Sequence, residues 1–328
     1  MIELFRKNLF INSLLLLPYT FIVRIHSLLN PTLSLDEPSN SLQAWALGVF
    51  SSPLSQEILA SIFVFIQAVY LNRIVIRNRL SQEITLLPGL CYIVLCSLIP
   101  SYTYLSLPLI SNFFILLFIS KAFKIYKRPK AASLVFDIGL LISIAAIFYW
   151  PAFIMILAGY ISLMVLRSVK WQDRIQLLCG VLLPFALWWV YAYCYTENGG
   201  EVMQYLGSIG DFQNLFGHSQ VDYLYIAMVL IIILSTLFKY GTLIKKKSIQ
   251  VQKKIDILYW VLLCSGLSIL WASFDPPLLL ISWIPIAYFL SQGLLSLKKP
   301  MNAELIHLFT LVFLFLLHFG ILPSIADL

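Results

Sequence analysis

Charge is what this sequence has least of. Only 11% of its 328 residues are Asp, Glu, Lys or Arg, while 60% are hydrophobic; a soluble domain carries roughly 25% charged residues. A chain this poor in charge cannot clothe a water-facing surface, so the size-to-domain arithmetic of soluble proteins does not apply and lipid is the solvent to reason from. Chemical motifs are scarce as well. The sequence holds no glycine-rich nucleotide loop, no Gly-x-Ser-x-Gly turn and no Cys-x-x-Cys, which leaves ATP-driven transport by this chain alone without support. The five cysteines, Cys91, Cys96, Cys179, Cys194 and Cys264, fall within or at the ends of apolar runs and lack metal-site spacing. They read as small apolar packing residues.

Histidine is equally sparse. His26, His218, His307 and His318 include no compact His-x-x-His or His-x-x-x-His pair. His307 and His318 return to nearly the same helix face, but an iron-dependent oxygenase built on histidine ligands is not the reading they favour, and no metal or cofactor is expected. Pro18, Pro88, Pro184 and Pro285 interrupt apolar runs, yet no internal repeat relates them, as the paired halves of a secondary transporter would require.

What the sequence does have is long apolar runs. Arg6-Lys7 precede a run from Leu9 to Leu29, which is too long for a signal-peptide core and is followed by no small-x-small cleavage site. It reads as an uncleaved first span, kinked at Pro18, with the amino end in the cytoplasm. Ten further runs follow, from Ile58 to Leu71 through to Leu305 to Leu322. Their basic residues audit the topology. Of the 22 Lys and Arg, 21 fall at alternate turns, and Arg24 alone stands at the other end of a span. Cytoplasmic turns carry Lys and Arg, so the formal net charge of +7 is a topological signature with at most a weak pull on anionic lipid, and nucleic acid is excluded as a partner. Trp45, Trp150, Trp171, Trp260 and Trp271 sit mostly at run ends, as an aromatic belt requires. The expected fold is all-α: one polytopic transmembrane helix bundle over residues 1–328, with about 11 spans, N-in and C-out, in a bacterial inner membrane. Outer loops are expected at 30–56 and 196–222.

On the outer face the sequence gathers Arg24, His26, Asp36, Glu37, Glu57, Glu197, Glu201, Asp211, His218, Asp222 and Asp275. Loops that do not hold the basic residues are free to carry acids, and for Glu197 to Asp222 that suffices, although its Gly-rich spacing suggests a short amphipathic lid. Asp36-Glu37 stands apart. Its loop is short, Arg24 precedes it, and a juxtamembrane helix is expected after it, with Leu42, Trp45, Ala46 and Val49 on one face. A carboxylate beside a membrane-embedded groove suits deprotonation of a hydroxyl acceptor while a lipid-linked donor lies in the bilayer, and an outer arginine can neutralise a donor phosphate. A solvated acidic turn is the plain alternative. Asp137, inside the Val135-to-Ile138 run, reads as structural rather than functional despite its apolar setting.

An N-in first helix, an outer loop with an acidic pair, a juxtamembrane helix and a series of short hairpins together resemble the GT-C class of integral-membrane glycosyltransferases. The likeness is to the branch of protein O-mannosyltransferases and lipid A aminoarabinose transferases. Phe148-Tyr149-Trp150-Pro151-Ala152, Arg167-x-x-x-Trp171-x-x-Arg174 and Leu182-Leu183-Pro184-Phe185 are similar to the middle of such chains. The pattern is also similar to multi-pass inner-membrane proteins of Bacteroidota. The resemblance implies a polyprenyl-phosphate-linked sugar donor used at the outer face, with Asp36 and Glu37 as the catalytic pair and Arg24, His26 and His218 as substrate-binding residues. Two departures stand against it: no sizeable outer domain follows the last run, and Pro38 follows the acidic pair directly. Two readings therefore remain. One is an outer-facing glycosyltransferase or a relative that has lost the chemistry. The other is a non-catalytic subunit docking a protein partner in an envelope assembly, export or transport complex.

Overall fold

A computed structural model describes residues 2–6, 10–31, 38, 40–48, 52–98, 103–128, 131–167, 169–195, 202, 205, 241, 247–271, 279–297 and 299–319. These residues are helical almost throughout, with 13 α-helices and no strand among them. In chain order they are α1 (Ile2–Arg6), α2 (Phe10–Val23), α3 (Ile25–Leu29), α4 (Ser41–Gly48), α5 (Pro53–Arg77), α6 (Leu87–Cys96), α7 (Leu107–Phe123), α8 (Ala132–Phe148), α9 (Met155–Leu166), α10 (Trp171–Tyr195), α11 (Ile249–Trp271), α12 (Leu279–Leu295) and α13 (Pro300–His318). A 3-10 turn, Trp150–Ile154, links α8 to α9.

Three of these, within α5, α10 and α13, are long and apolar enough to cross a membrane. Others fall short of the lengths anticipated from hydropathy. The run Leu86 to Leu98 holds only the ten-residue α6, about 15 Å of helix at 1.5 Å per residue against a hydrocarbon layer of ~30 Å. It survives because it is enclosed: every α6 residue except Leu95 is buried. Helix starts follow local rules. Ser52 caps α5 by accepting from Ser55 N–H at 3.3 Å, and Ser106 caps α7 by accepting from Leu109 N–H at 3.4 Å. Pro88, anticipated as a break within a span, lies in the first turn of α6, where its missing N–H costs nothing.

Lipid offers no hydrophobic drive for helix association, so close packing and hydrogen bonds hold the bundle. The α8–α10 crossing is built on glycine. A Cβ on Gly139 would strike Leu177 O, and one on Gly180 would strike Phe136 O, so only two bare backbones can approach this closely. Between α5, α6, α7 and α12 runs a buried polar chain. Tyr92 O–H donates to Gln67 Oε1 at 2.5 Å, Gln67 Nε2 to Leu109 O at 2.8 Å and Asn112 Nδ2 to Leu280 O at 2.7 Å.

The helix ends sort into two groups. At one end Arg6 pairs with Glu83 and Lys121 with Asp137, both at 2.6 Å, and Arg167 pairs with Asp173 at 3.1 Å. There Lys254 Nζ also donates to Asn78 Oδ1 at 2.8 Å and Tyr288 O–H to Leu80 O at 3.1 Å. Asp137 thus has a structural partner on α7. At the other end lie Arg24, Glu57, Ser97, Thr103 and His318.

Candidate functional site

Arg24 sits at the junction of α2 and α3 and is completely buried. Its Nε donates to Ser97 Oγ at 3.0 Å, Nη1 to Thr103 O at 2.9 Å and Nη2 to Cys96 O at 2.9 Å. α6 ends at Cys96, and the last carbonyls of a helix lack intrahelical partners and carry the negative end of its dipole. A guanidinium is the natural complement to both. The sequence reading gave Arg24 to a substrate phosphate. In the structure these three donors are taken by Ser97 Oγ and by the carbonyls of Thr103 and Cys96, and the side chain is fully buried.

Around this brace a second layer forms. Glu57, in the second turn of α5, is fully buried and accepts from Thr103 Oγ1 at 3.3 Å. Its charge attracts that of Arg24, while its Oε2 has no partner among the described residues. His318, at the end of α13, bonds through Nε2 to Ser97 O at 2.8 Å, and its Nδ1 is likewise without a partner. His26 is half-buried, lies edge-on to the His318 ring at 5.9 Å, touches Phe319 at 4.8 Å and meets Asn30 Nδ2 through Nε2 at 3.3 Å. His307 lies about three turns back along α13 from His318 and meets Tyr19 O–H at 3.2 Å. No group of three metal-ligating side chains occurs among the described residues. Arg24, Glu57 and His318 together can hold charge or a proton at a fixed point where three separate stretches of chain meet.

A second corner is built where α8 ends. The carbonyls of its last turn are orphaned by the Tyr149 bend, and side chains from two other segments cap them. Asn40 Nδ2 donates to Ile147 O at 3.2 Å, and Gln43 Nε2 donates to Ile147 O and Phe148 O, each at 3.0 Å. Tyr205 O–H reaches Ala146 O at 2.7 Å. Burial pushes the Tyr205 phenol up, opposed by the Gln43 amide beside it. Trp150, Phe185, Trp188 and Tyr205 close this corner with aromatic edges and faces. A helix does follow the acidic pair, as α4. Gln43 and Leu47 are buried while Trp45 is 70% exposed, because the orphaned carbonyls of α8 demand a polar contact and lipid accepts the tryptophan.

Of the residues singled out in the sequence, Asp36, Glu37 and His218 lie outside the described residues, and Arg24 and His26 are brought to one end of the bundle. Ser97, Thr103 and His318 were not anticipated there. The cavities found among the described residues line up with Arg73 and Arg77 at the opposite end. Fold and site together define an all-helical protein with apolar helices long enough to cross a membrane. The chain matches no family model, no curated protein and no solved structure.

Proposed function

We propose that this chain is a multi-pass protein of a bacterial inner membrane, with its amino end in the cytoplasm and its carboxyl end outside. We infer further that it is a GT-C-like glycosyltransferase using a polyprenyl-phosphate-linked sugar at the outer face. In this reading Asp36 is the general base and Glu37 orients the acceptor. The observation that supports it is the docking of α4: Asn40 and Gln43, just after the acidic pair, are fastened to the α8 carbonyls beside Tyr205 of the second outer segment. Such convergence of the two outer segments is what a site walled by both would need. Arg24 then braces the floor, and His26 remains a polar contact for substrate.

One observation favours the alternative, a non-catalytic subunit that docks an envelope protein. The cation a donor phosphate would use is already bonded to Ser97, Cys96 and Thr103. Asp36→Asn separates the two. Loss of a positioned base costs ~10²–10⁴-fold in rate, whereas a loop acid exchanged for its amide changes stability by less than ~0.5 kcal/mol. In a deletion strain complemented with Asp36→Asn, normal protein levels with loss of the dependent glycan are expected. Full complementation would leave the docking role standing.

A further inference from the structure

The last turns of α5 carry an arrangement that neither reading uses. Between α5, α2 and the start of α6 lies a cavity of about 290 Å³, walled by Asn72, Arg73, Arg77 and the apolar Val69, Ile76 and Leu86. A smaller one of about 130 Å³ shares Arg73 and Arg77 and is closed by Asn78 and Lys124. Arg73 and Arg77 are four residues apart and so project from one helix face. Neither guanidinium makes an ion pair or hydrogen bond among the described residues, whereas the nearby Arg6, Lys121 and Arg167 each have a carboxylate.

The cations here are crowded. Burial, and then the charges of Arg77, Lys121, Arg128 and Arg73, hold Lys124 below the usual lysine range. Asn72 backs this space. Asn72 is 2% exposed, and its Oδ1 accepts from Gly89 N–H at 2.7 Å, which fixes the orientation of the amide. Its Nδ2 has no partner among the described residues and is enclosed against Gly89 of α6. Two guanidinium groups without a partner among the described residues thus border one space, with no carboxylate among the residues that line it.

Positive-inside topology alone asks only for basic residues in loops. Arg73 is instead a full turn inside α5, beside the buried Asn72. Donors without acceptors call for an anion, and planar guanidinium forks favour phosphate oxygens. We propose that this cavity is a binding site for a phosphate ester, held between Arg73 and Arg77. The apolar wall of Val69, Ile76 and Leu86 gives an acyl chain a surface to lie on, so an anionic lipid headgroup is the source the geometry favours. The proposal does not depend on the glycosyltransferase reading.

The test uses the full-length protein in detergent, with thermal unfolding followed at graded phosphatidylglycerol, phosphatidylcholine or inorganic phosphate. Phosphatidylglycerol is expected to bind about tenfold or more tightly than phosphatidylcholine, and Arg73→Gln/Arg77→Gln to abolish that preference. The charge-matched pair Lys170→Gln/Lys299→Gln, outside both cavities, is expected to keep it. If the glutamine pair does not fold, Arg73→Lys/Arg77→Lys keeps the charge and removes the fork, and should weaken binding by roughly several-fold. Stabilisation by inorganic phosphate that matches the lipid, and that is lost in the same variants, sustains the site with a soluble source. Equal loss in the Lys170/Lys299 control, or no preference for any phosphate over phosphatidylcholine, overturns the proposal.

Discussion

Replacing Arg24 with methionine tests the brace at the end of α6 most directly. Methionine keeps an unbranched stem, though a shorter one, and removes the donors. Three described hydrogen bonds disappear, each worth ~1.5–3 kcal/mol when one partner is charged, a gross loss of ~5–9 kcal/mol. The net figure is smaller, because the folded protein no longer has to desolvate a guanidinium. Cys96 O and Thr103 O nevertheless become buried carbonyls without this donor, and Glu57, fully buried, loses its nearest opposing charge. Removing one member of a buried charged pair costs ~3–5 kcal/mol, and that is the expected destabilisation. It should appear in denaturant titration of the purified protein in mixed micelles. The companion variant Glu57→Gln removes the stranded charge, so the double variant should recover ~0.5–3 kcal/mol relative to additivity. An Arg24→Met protein within ~1 kcal/mol of its parent, with no coupling to Glu57, would refute the brace and return Arg24 to the ligand role read from the sequence.

Other expectations follow from the packing and the ends. Gly139→Ala and Gly180→Ala should each destabilise by at least ~1–3 kcal/mol, since the colliding atoms are backbone. Gly48→Ala, with open space around it, should be within ~0.5 kcal/mol, and equal midpoints for all three would refute the close crossing. Gln43→Leu should speed amide exchange in α4 by about tenfold while leaving the global midpoint in place; unchanged exchange would mean that the α8 carbonyls do not hold the helix. Burial pushes the Lys247 ammonium, which also donates to Leu80 O, down to about 8. The unfolded chain keeps that proton to pH ~10.4, so it binds more protons than the folded one between the two values. Stability should therefore rise with pH from ~8 to ~10. Lys247→Met should flatten the rise, and a parent protein with no such slope would contradict the burial.

Much of the helical character was legible in hydropathy. Arg24 shows where such reading stops. Its isolation from every other basic residue marked it in the sequence, but its partners are backbone carbonyls at Cys96 and Thr103, more than 70 positions away. A carbonyl is present at every residue and leaves no trace in residue type. α6 shows a second limit. Hydropathy records transfer to an apolar medium and cannot say whether that medium is lipid or protein, so a ten-residue buried helix reads like part of a span. On α4, Trp45 of the expected apolar stripe is exposed while Gln43 is buried. In water the apolar stripe turns inward, whereas beside lipid Trp45 can face out and Gln43 can carry the contact. Asp137 reads as structural from its place near the end of its run, but its partner, Lys121 at 2.6 Å, is on the preceding helix and was not named from the sequence.

The polar chain through Gln67, Tyr92 and Asn112 also sets a clock on assembly. Asn112 must wait for an acceptor, Leu280 O, that lies 168 residues later in the chain. At a synthesis rate of ~5–20 residues per second, that is roughly 10–30 s. During that interval α7 has only the Tyr92 hydroxyl, at 3.4 Å, for its amide. The amino-terminal half is then complete in sequence but carries an amide short of partners, and arrival of α12 is the event that closes it. A ribosome stalled before Leu280 would leave a species distinguishable from the finished protein by this one side chain, and a surveillance protease that senses polar groups in the bilayer would have a reason to act on it.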